Sequence, residues 1–177
     1  MASSVEATDT HATTDSTIAS LRTSLCLETT PLPVRFRALF SLKHLASKSD
    51  GPEALAAIDA IAAAFSSPSA LLKHELAYCL GQTGNLAAVP SLRKVLEDLG
   101  EDAMCRHEAA EALGALGDPG NLELLRRFRD REGEELVVKE TCEIAVDRLE
   151  WESSEQRKTE KLRQRLVRFR MVSPSIG

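Results

Sequence analysis

The stretch LLKHELAYCLGQTGN at positions 71–85 returns as MCRHEAAEALGALGD at 104–118, an offset of 33 residues. Lys73-His74-Glu75 falls on Arg106-His107-Glu108, Leu80-Gly81 on Leu113-Gly114, and Gly84-Asn85 on Gly117-Asp118. A fixed period of this size is that of a stacked helical repeat, in which each unit exposes an apolar face that its neighbour covers. No other feature restricts the possible folds as much. Aromatic residues make up only 4% of the chain while Ala and Leu abound, which also favours close-packed helices over sheet.

Aligning the start of the second helix of each unit places Arg35-Phe36-Arg37-Ala38, Lys73-His74-Glu75-Leu76, Arg106-His107-Glu108-Ala109 and Lys139-Glu140-Thr141-Cys142 in equivalent positions. The steps between them are 38, 33 and 33 residues, so the first unit carries five extra residues near positions 47–52. The intervening helices are expected at 53–65, 90–99 and 122–129, each with an aliphatic stripe. Gly84 and Gly117 suit the left-handed position that ends a helix, and Asn85 and Asp118 suit the start of the next. The expected fold is an all-α solenoid of about four helical hairpins, and 177 residues with 43% hydrophobic content suffice for one core.

The ends read differently. Residues 1–16 are small, polar and aperiodic, which predicts a disordered leader with His11 as a solvated bystander. Its Glu6, Asp9 and Asp15 argue against a transit peptide, and it lacks the apolar segment of a secretory signal. Ile18, Leu21 and Leu25 then open the repeat domain, expected over 17–151, with a short helix closed by Pro31 and Pro33. From 152 to 177 the chain is polar, with seven basic residues against Glu160 alone between Arg157 and Arg170. Such a stretch reads as a solvated tail, or else as a basic docking segment. Cys26, Cys79, Cys105 and Cys142 have no CxxC spacing and suit reduced thiols of a cytoplasmic protein. The net charge of −5 argues against general affinity for nucleic acid, and no apolar run approaches the roughly 20 residues of a membrane span.

Both inner copies carry His-Glu where a helix begins its packed face. Consecutive helical residues diverge by about 100°, so His74 and Glu75 cannot comfortably grip one ion together. If the two helices lie side by side, His74 and His107 can converge on one ion while Glu75 and Glu108 point to the flank of that site. Imidazole with carboxylate suits Fe(II), and two histidines with one carboxylate leave positions open for oxygen chemistry, the third ligand being expected from elsewhere in the molecule. Against this, charged residues in a first helical turn are ordinary, and a repeat copies residues without regard to function. The flanking units lose the pair, with Phe36-Arg37 and Glu140-Thr141, so repetition alone does not preserve it. His44 has no repeat partner and reads as a surface residue; Tyr78, on the His74 face, reads as a packed aromatic. No phosphate-binding glycine loop, GxSxG or HExxH is present.

The strings PVRFRALFSL, SALLKHELAYCLGQ, RHEAAEALGALGD and ETCEIAVDRLEW, in that order, closely resemble the N-terminal half of the deoxyhypusine hydroxylases, a family of HEAT-like repeat monooxygenases. The resemblance runs from about Pro33 to Trp151. It implies two Fe(II) ions as cofactor, molecular oxygen as co-substrate, and the deoxyhypusine side chain of a translation initiation factor as the group converted to hypusine. It implies His74, Glu75, His107 and Glu108 as metal-binding candidates. His74 and His107 would share one iron and Glu75 would reach the second, while Glu108 would hold substrate, as the catalytic candidate, or stand behind the ligands. A carboxylate there complements the ammonium groups of deoxyhypusine.

Members of that family are about twice as long, with a second set of four repeats bearing two further His-Glu pairs and the irons between the halves. This chain would then be a truncated product, a subunit completed by a separate second half, or a homodimer whose two-fold axis recreates the pairing; truncation is the expectation. Two other functions fit a helical repeat: a non-catalytic protein-binding scaffold, and a relative of the phycobilin lyases. His-Glu in the two middle repeats alone favours the oxygenase.

Overall fold

The computed structural model describes the backbone of residues 3–47, 51–157 and 159–160, and within these the side chains from residue 15 onward. The basic part of the expected tail beyond 160, the His11 side chain and part of the expected insertion lie outside the described residues. Among the described residues eight α-helices follow one another, α1 (Ser3–Cys26), α2 (Leu32–Ala46), α3 (Pro52–Ala63), α4 (Ala70–Gln82), α5 (Val89–Glu97), α6 (Ala103–Leu116), α7 (Leu122–Arg129) and α8 (Leu136–Ser153), and there is no strand. None is long and apolar enough to cross a membrane.

Helix α1 starts earlier than the expected short helix. The backbone is helical from Ser3, inside the stretch read as a disordered leader. No Gly or Pro occurs before Pro31, so a helix anchored by buried Ile18 and Leu25 extends toward the N-terminus at little cost per residue. The other boundaries fall within a few residues of expectation, because caps set them. Ser69 accepts a hydrogen bond from Leu72 N (3.2 Å) and Asp102 one from Met104 N (2.8 Å), opening α4 and α6. Gly117 ends α6 at φ +77°, in the left-handed region, and Gly84 follows α4 at φ +66°.

Helices α4, α6 and α8 form one row, with α5 against α6 and α7 against α8. The sides facing the outer helices are aliphatic. Leu72, Leu76 and Leu80 of α4 recur every four residues and are wholly buried, at about 1.5–3 kcal/mol each. The row is tight because it is laced by glycine: a Cβ on Gly81 would meet the Ala112 Cβ at 2.8 Å, and one on Gly114 would meet the Ala145 Cβ at 2.8 Å. Both contacts obey the 33-residue period. At the equivalent place in α2 stands Lys43, and α2 packs chiefly with α1 and α3, touching α4 less. The first hairpin therefore departs from the even stacking of the other units.

Paired cations, Arg35 and Arg106 buried and Lys73 half-buried, tie the row together at the helix starts. Arg106 donates from Nε to the Leu96 carbonyl (3.3 Å) and makes a bidentate pair with Glu134 at 2.7 and 2.6 Å. Lys73 meets Glu101 at 2.5 and 2.6 Å, and Arg35 bonds the Leu25 carbonyl (2.7 Å) and Glu28 (2.7 and 2.8 Å). Each basic residue fastens an inner helix to a neighbouring segment of chain.

Candidate metal centre

Close approach of α4 and α6 brings the rings of His74 and His107 to 5.7 Å between centroids. Glu108 lies with them: its Oε2 is 3.1 Å from His74 Nε2 and 4.0 Å from His107 Nε2. Donor atoms of His74, His107 and Glu108 all fall within 4.8 Å of one another, close enough to share one metal ion. Glu75 is outside that trio, with its Oε1 3.6 Å from His74 Nδ1.

This overturns the expectation that Glu75 and Glu108 both point to the flank. Residues 107 and 108 diverge around α6, so His107 faces α8 and its Thr141, whereas Glu108 meets the histidine of the preceding helix. The same step of 34 residues joins His74 to Glu108 and His107 to Thr141. Each histidine thus meets a residue of the next unit.

The trio sits at the edge of solvent. Glu108 is 8% exposed, His107 15% and His74 27%. Burial lifts the Glu108 carboxyl above the ordinary carboxylate range; His74 opposes the rise, and Glu111 and Glu75 add to it. Burial, with the nearby His74, holds His107 below the usual imidazole value, so it is neutral at pH 7 as a metal ligand must be. His107 Nδ1 lies 3.3 Å from Thr141 Oγ1, while its Nε2 is buried with no hydrogen-bond partner. A buried nitrogen without a partner costs about 1–3 kcal/mol unless something takes it up, and a metal ion beside two imidazoles and a carboxylate would do so.

Other residues from the sequence find quieter places. Cys79, Cys105 and Cys142 are fully buried free thiols. Burial pushes Cys79 and Cys142 up to about 12 and Cys105 up to about 11, so all three fill space rather than react. His44 is exposed, as expected. Tyr78 is 42% exposed rather than packed. Two neighbours of the site carry no distinguishing signal in the sequence. Glu111 follows His107 by one helical turn on the same face and is exposed. Thr141 reads in the sequence only as the loss of a His-Glu pair, although it stands where Glu108 stands one period earlier.

A family profile described as HEAT repeats matches residues 58–146. The chain is 73% identical over 149 residues to a protein of Neurospora crassa named deoxyhypusine hydroxylase, an overlap of 84% of this chain and 46% of that one. Proteins of the same name from Chaetomium globosum and Coccidioides immitis are both 71% identical, over 149 and 157 residues, covering 83% and 88% of this chain and 43% and 47% of theirs. The solved structure of human deoxyhypusine hydroxylase in complex with glycerol superposes with a TM-score of 0.72 at 46% identity, covering 80% of this chain and 46% of that one. The chain spans about half the length of the curated relatives it matches.

Proposed function

The chain belongs to the HEAT-repeat family, and from that premise we propose that it is the iron-binding N-terminal half of a deoxyhypusine hydroxylase, acting in the cytoplasm on a translation initiation factor. The observation that carries the proposal is the partnerless, buried Nε2 of His107, which lies beside His74 and Glu108. His74, His107 and Glu108 would hold one iron, and Glu75, turned away from the trio, would reach toward a second. Iron, when bound, supplies the activation of molecular oxygen that hydroxylating an unactivated C–H bond requires.

The chain's own residues prepare the rest. His107 is neutral and keeps its lone pair available, and Glu108 adds one carboxylate from a largely water-excluded position. Glu75, Glu108 and the exposed Glu111 make the rim acidic, which suits the ammonium groups of a deoxyhypusine chain. Leu71, Tyr78 and Met104 are exposed within one turn of the histidines, and Ile144 within one turn of Thr141. An apolar collar around a polar cluster supports a face completed by a second set of such helices, either the other half found in the longer relatives or a second copy of this chain.

The test is anaerobic addition of Fe(II) to the purified chain, then measurement of iron content and solution mass on one sample. Iron should be retained, and should be lost in His107→Ala with helicity unchanged by circular dichroism. A wild-type sample that keeps no iron would favour the protein-binding scaffold. A large loss of helix in the variant would make His107 a structural residue.

A further inference from the structure

Thr141 stands one period after Glu108 and receives His107 as Glu108 receives His74. We propose that Thr141 is a positioning residue that fixes the tautomer of His107 and so presents a bare Nε2 to the metal centre. The inference deepens the proposed function and rests on His107 being a ligand.

The argument is one of proton accounting. A threonine hydroxyl has one proton to give, and that of Thr141 goes to the Val137 carbonyl one turn back, at 2.8 Å. Toward His107 Nδ1, at 3.3 Å, the same oxygen can therefore only accept. The imidazole must supply the proton, so Nδ1 carries the hydrogen and a neutral ring keeps its lone pair on Nε2. In the opposite tautomer, Nε2–H would be a buried donor whose nearest carboxylate oxygen, Glu108 Oε2 at 4.0 Å, is beyond hydrogen-bond reach. Nδ1 would meanwhile face an oxygen with no proton left to offer. Ligating histidines generally have their tautomer set by the partner of the other ring nitrogen. Here a hydroxyl does so without adding a second carboxylate beside Glu108.

The test compares the metal-free wild-type chain with Thr141→Val, which keeps the shape without the oxygen, and Thr141→Ser, which keeps the oxygen. Long-range nitrogen NMR on histidine-labelled protein reads which ring nitrogen of His107 is protonated. Wild type and Thr141→Ser should show protonated Nδ1, and Thr141→Val a mixed or reversed pattern. Zinc, which accepts imidazole and carboxylate donors, is then titrated against a chelator. Thr141→Val should bind it about 10–100-fold more weakly, and Thr141→Ser close to wild type, with circular dichroism melts verifying the fold. An unchanged nitrogen pattern in Thr141→Val overturns the inference, as does a Thr141→Ser variant as weak as Thr141→Val. If wild type takes no zinc at all, the metal assignment fails, while the nitrogen pattern still decides whether Thr141 sets the tautomer.

Discussion

The groove between α4 and α6 and the groove between α6 and α8 are built by one rule. Each has a cation paired with a glutamate at its mouth, half-buried Lys73 with Glu101 in the first and buried Arg106 with Glu134 in the second. Each has a glycine pressed on an alanine, and each has a histidine reaching across to the next helix. They differ in what the histidine meets: a carboxylate in the first, a hydroxyl in the second. Duplication thus supplied a repeated frame, and a single position decides whether a groove contributes a charged donor or only orients one.

The largest expected effect tests whether both grooves serve one centre. His74→Ala should abolish iron retention as completely as His107→Ala; a variant that still retains iron would mean that one groove suffices. Next comes the buried cation. Arg106→Met removes both guanidinium bonds of Glu134, 1% exposed, leaving it only Arg131 at 3.3 Å and the Glu135 N–H, and should cost about 1.5–3 kcal/mol in urea unfolding. Lys73→Met should cost less, since that pair is 14% and 11% exposed. Equal losses would show that solvent access does not separate the two tethers.

Smaller still are the glycine seams. Alanine at Gly81 or Gly114 overlaps a neighbouring helix, which costs about 1–3 kcal/mol against about 1 kcal/mol of regained helix propensity. A net loss is expected at both sites, measured by thermal melts, and a gain at only one would show that the two seams are not copies. The mildest effect is one of pH. Hydrogen bonds from Arg106 hold Glu134 below the ordinary carboxylate range. A carboxyl depressed in the folded state stabilises fully above its unfolded pKa of about 4.3 and loses that contribution as pH falls through the folded value. Unfolding measured at a series of acid pH values should therefore show a steeper decline for wild type than for Glu134→Gln.

Much of this was legible in the sequence because a period reports equivalence. The equivalence of His74 and His107 carries with it the helix ends, the caps at Asn85 and Asp118 and the row of inner helices, since each depends on local chemistry. Equivalence does not say which neighbour a side chain faces. The turn of Glu108 toward His74 depends on the order of helices in space, and two residues in adjacent turns of sequence pattern gave no sign of it. Thr141 was hidden for the same reason: judged against its counterpart it looked like a loss, and only its distance from His107 gives it work. The helical start at Ser3 is hard to read because polar composition and the lack of any helix-breaking residue before Pro31 point in opposite directions.

The glycines leave a further mark on the centre. Where Gly81 meets Ala112, the gap between helices is gauged by a lone hydrogen atom rather than by a flexible side chain. The bite of the two imidazoles is accordingly inherited from main-chain contact. Solvent-facing positions of α4 and α6 can change freely without widening it, whereas one added methyl group at that seam would pry the jaws apart.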